Sequence, residues 1–290
     1  MAVKVITDST SYINEDIRKK LEIERICLNV SFEDETFKET EISNEEFYKK
    51  MEQKGIPASS QPATAEIEDK LRAIVSEGHS ALFVVISSKM SGTFDSVSVI
   101  KNRVLEDYPE AEIDVVDSTS NCMQLGFAAI VAARAAKEGK SLQEVKQCAE
   151  ENINRSRFLF IPDNLTYLKK GGRIGGASAL IGNFLKLIPI LTVENGITTV
   201  VTKIRTKKKA IETLIERVIS DISQFGLGEI SVHHIDCIDE AKEVVSMLEE
   251  KLRELNLKVD ISICDIGPVI GLHVGPGAMG IVYYTKRNLR

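Results

Sequence analysis

Residues 81–94 read ALFVVISSKMSGTF, and the junction inside that stretch decides the fold. Ala81 to Ile86 are apolar without alternation, the pattern of a strand covered on both faces. The run stops in Ser87, Ser88, Ser91, Gly92 and Thr93, and a helical pattern then carries on to about Asp107. A buried strand, a hydroxyl-rich turn and a helix make half of a β-α-β unit. Two other segments have the same form: VKVIT before Asp8-Ser9-Thr10-Ser11, and IDVV before Asp117-Ser118-Thr119-Ser120. Three parallel strands with such endings bring their clusters to one rim, the carboxyl edge where open α/β sheets hold ligands.

Outward from that core the first half keeps alternating. IERICLNVSF and ETFKE read as extended segments. Ser43 with Glu46 forms a capping box for NEEFYKKMEQK. IPASSQPATAEI is a proline-punctuated loop leading to a helix, and the alanine-rich helix GFAAIVAARAAKEG stops at Gly139. The second half mixes strands (RFLFIP, GITTVVTKIRT, EISVHHID, KVDISICDIG, MGIVYYTK) with two long helices. Its stretch IGGASALIGNFLKLIPIL reads either as a core helix with a connector or as the lining of an apolar tunnel or gate. The expected architecture is two α/β domains. Residues 1–155 form a three-layer domain with a mainly parallel sheet that carries the rim, and residues 156–290 form an α/β domain with a mixed sheet.

A chain of 290 residues, 43% hydrophobic and 28% charged, has material for such cores. Its net charge of −6 argues against nucleic acid as the main partner. No apolar run reaches the roughly 18 residues of a membrane span, and MAVKVITDSTS lacks a secretory pattern. Five scattered cysteines without C-x-x-C point away from disulfides or zinc and towards a reducing cytoplasm.

Hydroxyls, backbone N–H groups and a helix N-terminus at Ser91-Gly92-Thr93 favour an anion. No G-x-x-x-x-G-K-[ST] loop occurs, so a carboxylate fits better than a polyphosphate. Ser59 and Ser60 add hydroxyls from ASSQP, while Asp8 and Asp117 read as caps or hydroxyl positioners. GPGAMG (275–280) has the letters of a dinucleotide turn, but a strand follows it instead of a helix. His233 and His234 are adjacent on a strand, point to opposite faces and do not make a metal pair. His273, among glycines and prolines in an expected loop, is a hydrogen-bonding candidate for a carboxylate. KIRTKKKA (203–210) crowds cations at a helix start, against the dipole, which makes a docking role reasonable for some of them. No G-x-S-x-G elbow is present.

In order and spacing, TDSTS, SSQP, SSKMSGTF, VDSTS, YLKKGGRI, IRTKKKA and HVGPGAMG resemble the DegV family of bacterial fatty-acid-binding proteins over essentially the whole chain. The resemblance implies a non-catalytic protein without a cofactor that holds one long-chain fatty acid, such as palmitate. The carboxylate would sit at the rim and the acyl chain in the second domain. It also implies a role similar to the binding subunit of fatty acid kinase, which presents the acid to a separate ATP-dependent catalytic subunit. Carried over by position, the carboxylate contacts fall on Ser59, Ser91 and His273, with Ser60, Gly92 and Thr93 beside them. Arg173 and Arg205 look like the family's partner-facing cations. The family's usual Thr-Ser-Gln-Pro is Ser59-Ser60-Gln61-Pro62 here, which leaves open whether Ser59 or Ser60 makes the contact. The energetics suit such a ligand: roughly fourteen buried methylenes contribute on the order of 11 kcal/mol before entropy costs, whereas the buried head needs several donors. Two rivals remain at this stage, a stand-alone phosphotransferase or esterase on a related scaffold, and a lipid-sensing regulatory module.

Overall fold

The computed structural model describes residues 2–180 and 187–289, and the chain divides into two compact units. The first runs up to Ile42 and resumes over Ser59–Ile153; the second takes Ser43–Ala58 and everything from Asn154. In chain order, β1 (Val3–Asp8), α1 (Glu15–Lys20), β2 (Glu24–Ile26), β3 (Asn29–Ser31) and β4 (Thr36–Lys38) come first. Next is α2 (Asn44–Lys54), which belongs to the second unit. The path returns through β5 (Ala58–Ser60), α3 (Thr64–Ser76), β6 (Ser80–Val85), α4 (Thr93–Asp107), β7 (Ile113–Asp117), α5 (Cys122–Lys137) and α6 (Leu142–Arg155).

The main sheet of the first unit has the order β2-β1-β6-β7, with every pair parallel. Ile6, Phe83, Val85 and Ile113 pack on Ile67 and Leu71 of α3 and on Val97 and Ile100 of α4. The alanine-rich α5 covers the other face, against β1 and β6. Small side chains let it come close: a methyl at Gly126 would lie 2.7 Å from the Ser11 carbonyl. The expected three layers are present. The strand order reverses between β1 and β6, which places the switch point of the sheet at their carboxyl ends. A small second sheet, β4-β3-β5, carries Ser59 and Ser60, where the sequence predicts a loop.

The second unit adds β8 (Ser156–Ile161), α7 (Thr166–Lys170), β9 (Ile188–Glu194), β10 (Ile197–Ile204), α8 (Lys207–Phe225), β11 (Leu227–His234), α9 (Ile238–Glu254), β12 (Ser262–Asp265), α10 (Pro268–Val274) and β13 (Met279–Thr285). Its sheet, β10-β9-β8-β13-β11-β12, is mixed as expected, with β11/β12 parallel and the other described pairs antiparallel. Leu159, Val232, Ile281 and Tyr283 meet Leu214 and Val218 of α8 and Val244 and Leu248 of α9. α2 is fixed here by Asn44 and Tyr48, whose side chains donate to the Ile266 carbonyl at 3.1 and 3.2 Å. Ser43 caps α2, accepting from Glu46 N at 3.2 Å, which is the Ser43 half of the expected capping box.

Three readings need correction or limits. His273 lies in α10 and not in a loop; Pro268 at the first turn supports that helix because it needs no N–H partner there. GPGAMG joins α10 to β13, with Gly275 and Gly277 at φ +90° and +79°, a left-handed path that ends in a strand and builds no dinucleotide turn. Of the proposed tunnel lining or gate, residues 181–186 lie outside the described residues.

Candidate functional site

The switch point in the first unit can be built residue by residue. Asp8 ends β1 and is fully buried. Its carboxylate accepts from Thr10 N (3.0 Å), Thr10 Oγ1 (2.5 Å) and Ile86 N (2.6 Å). Burial pushes its pKa up to about 6 against the pull of those hydrogen bonds. Asp117 ends β7, accepting from Ser88 Oγ at 2.6 Å, Thr119 N at 2.8 Å and Ser88 N at 3.3 Å.

Two of the three hydroxyl clusters turn out to be internal scaffolding. Ser9 Oγ accepts from Leu28 N at 3.0 Å, and Thr10 is spent on Asp8. Ser118 Oγ donates to the Ser120 carbonyl, and Ser120 Oγ to Gln124 Oε1. Ser9, Thr10, Ser118 and Ser120 are all buried. The expectation that all three clusters line the rim therefore holds for strand position, whereas Ser9, Thr10, Ser118 and Ser120 are withdrawn from it and Thr119 is partly exposed. A hydroxyl next to a strand end satisfies buried backbone as readily as it faces a ligand.

The cluster after β6 is different. Ser91 is partly exposed, and its hydroxyl meets Thr93 Oγ1 at 2.9 Å. Thr93 is fully buried, so it orients Ser91. Gly92 is exposed, yet a methyl there would overlap Gln61 Oε1. The amide of Gln61 thus occupies the approach that the sequence reading reserved for a ligand. That contact joins SSQP to SSKMSGTF and brings partly exposed Ser59 and exposed Ser60 to the same part of the first unit as Ser91. Asn29 Nδ2 steadies the loop by donating to the Gln61 carbonyl at 3.2 Å. Sequence reading passed over Gln61; its place between Ser60 and Pro62 in the quoted motif was the available signal.

A second set of motif residues converges inside the second unit. The His273 ring lies against Gly171, at the end of α7, so closely that a methyl at 171 would overlap Nδ1. Gly275 does the same for the ring of Tyr167. YLKKGGRI and HVGPGAMG, far apart in sequence, therefore pack on each other. Burial, helped by the Arg173 guanidinium, lowers the His273 pKa to about 4. The imidazole is neutral at pH 7, offering one N–H donor and one acceptor. Arg173 is exposed and donates to the Gly171 carbonyl at 2.7 Å.

The basic stretch resolves into two groups. Lys207 pairs with Glu240 at 2.6 Å, and Lys209 with Glu212 at 3.3 Å. Arg205 and Lys208 are exposed and have no ion pair among the described residues. His233 and His234 point to opposite faces as expected. His233 is buried 5.4 Å from the Phe158 ring, and desolvation lowers its pKa to about 3. Among the described residues no group of three or more His, Cys, Asp or Glu could hold a metal, and no helix is long and apolar enough to cross a membrane.

Fold and side chains define a mixed α/β protein with a partly exposed hydroxyl loop at the switch point of a parallel sheet and a neutral imidazole packed into a glycine turn. The model of the DegV family matches residues 2–286. A DegV domain-containing protein of Clostridium acetobutylicum is 60% identical over 290 residues, all of both chains. Two solved structures are similar throughout. DegV of Bacillus subtilis, described as a fatty acid binding protein, has a TM-score of 0.84 at 33% identity, covering 99% of this chain and 100% of that one. A stearic acid-binding protein of Eubacterium ventriosum has a TM-score of 0.88 at 25% identity, covering 98% of each. The chain belongs to the DegV family.

Proposed function

We propose that this protein binds one long-chain fatty acid, holds its carboxylate through the hydroxyls of Ser91 and Ser59 or Ser60, and presents it to an ATP-dependent kinase subunit in the cytoplasm. The observation that carries the reading is the placement of Ser91. It is a partly exposed hydroxyl at the switch point, oriented by buried Thr93, in a chain similar end to end to fatty-acid-binding DegV proteins. Neutral donors suit this ligand: hydroxyls solvate a carboxylate without burying a permanent cation. The protein itself carries no chemistry in this reading, and the acyl-phosphate is made by the partner.

Native mass spectrometry of freshly purified protein is expected to show a fatty acid adduct. Ser91→Ala removes one donor to the head and is expected to weaken oleate binding by about 1–3 kcal/mol in calorimetry. An unliganded protein that takes up no oleate, palmitate or stearate would end the reading, and an unchanged affinity would remove Ser91 from it.

Arg173 and Arg205 are the proposed docking cations; the unpaired state of Arg205 supports its part among the described residues. Arg205→Glu is expected to slow partner-dependent acyl-phosphate formation at least several-fold while fatty acid affinity stays the same. Equal loss of both would count against docking.

A further inference from the structure

The loop between β6 and α4 has no spare backbone donors from Ile86 to Ser91. Ile86 N donates to Asp8 Oδ2, Ser87 N to the Ser120 carbonyl at 2.8 Å, and Ser88 N to Asp117 Oδ1. Lys89 N donates to Ser87 Oγ at 3.2 Å, and Met90 N and Ser91 N to the Ser87 carbonyl at 2.9 and 3.1 Å. Of the helix-terminus amides at Ser91-Gly92-Thr93, that of Ser91 builds the loop and that of Thr93 donates to Ser91 Oγ at 3.3 Å. The two carboxylates stand on either side, because β6 lies between β1 and β7 in the sheet. Asp8 takes the first N–H past the strand; Asp117 takes both the N–H and the hydroxyl of Ser88.

Two carboxylates at the edge of an anion site repel the ligand, and donors bound to their lone pairs offset part of that field. Here both carboxylates are so bound. Asp8 has three donors and Asp117 has three, all from the first unit. A loop tied at both flanks has little freedom left to lose when a ligand arrives, so the Ser91 hydroxyl is delivered already in place.

We propose that Asp8 and Asp117 are positioning residues for the fatty acid carboxylate: they clamp the β6–α4 loop from the two neighbouring strands and fix Ser91 without touching the ligand. This rests on the fatty acid reading above. It predicts a loss specific to the head group, which general destabilisation does not produce.

The test compares radiolabelled oleate with oleyl alcohol, which has the same tail and no carboxylate. Asp117→Asn keeps the size and removes the charge that serves Ser88. It is expected to weaken oleate binding about tenfold, the scale of a hydrogen bond to a charged group, while oleyl alcohol binding changes less than twofold. Ser88→Ala leaves the strand end intact and releases the same clamp from the loop side, so it should give a similar selective loss. The double variant should be no worse than Asp117→Asn alone, since the Ser88 hydroxyl bond is one of the three that Asp117 accepts. Equal loss of oleate and alcohol, no loss of either, or full additivity would overturn the positioning role. A wild-type protein that does not prefer oleate over oleyl alcohol would overturn the carboxylate reading itself, and the clamp with it.

Discussion

Lowering the pH from 7 to 4 is expected to stabilise the wild-type protein relative to its Asp8→Asn variant by about 2 kcal/mol. The folded state raises the Asp8 pKa from its ordinary 3.8 to about 6 because burial penalises the charge more than the hydrogen bonds of Thr10 and Ile86 favour it. The folded protein therefore holds this proton more tightly than the unfolded chain does. The associated stability is fully present below pH 3.8 and is lost as pH rises through 6. The full displacement from 3.8 to about 6 converts to about 3 kcal/mol, of which roughly 2 kcal/mol is gained by pH 4 and the rest below it. Carboxylates held low by cations, such as Glu15 beside Arg18, act in the opposite sense, losing stability as pH falls. They are common to both proteins and drop out of the difference. Urea unfolding of the two proteins at pH 4, 5, 6 and 7 measures it; parallel curves would mean that Asp8 is solvated or stabilised in a way its burial does not indicate.

Arg157→Leu is expected to cost the protein about 3 kcal/mol, because it strands a buried charge. Asp221 of α8 is buried and accepts from Tyr283 Oη at 2.5 Å and from the Arg157 guanidinium. Arg217, at 3.8 Å and mostly in solvent, is a weak substitute. Tyr283 is fully buried in the α8 face of the sheet, and its hydroxyl proton is held firmly, with burial and the adjacent carboxylate both raising its pKa. Removing one member of such a group costs more than removing all of it. The combined variant Arg157→Leu, Asp221→Leu, Tyr283→Phe is thus expected to recover to within about 1 kcal/mol of wild type. Urea unfolding followed by circular dichroism decides it. A single Arg157→Leu change with no effect, or a triple variant worse than the single one, would contradict the account.

The strands at the switch point were legible because each is a continuous apolar run with a sharp polar end. The helix from Thr93 to Asp107 and the stop at Gly139 were legible for the same local reason. What escaped was non-local. α10 is only seven residues long and contains Gly271, which the Tyr48 hydroxyl presses against; without that contact in view, its glycines and proline read as loop. β9 hides because Pro189 and the apolar residues before it blur the strand pattern. Composition counts the hydroxyls of Ser9, Thr10, Ser118 and Ser120, but only the fold reveals that neighbours consume them. Motif order in sequence likewise gave no sign that Gly171 would seat His273.

The placement of α2 bears on how the molecule is made. The helix leaves the ribosome with Phe47, Tyr48 and Met51 ready for burial, but the carbonyl its Asn44 side chain binds is 222 residues further along. At ordinary elongation rates that is a wait of roughly ten to forty seconds. The first unit, complete by Ile153, has all its residues well before then. The nascent chain therefore passes through a stage in which the first unit has all its residues while Phe47, Tyr48 and Met51 of α2 still await the segment that covers them.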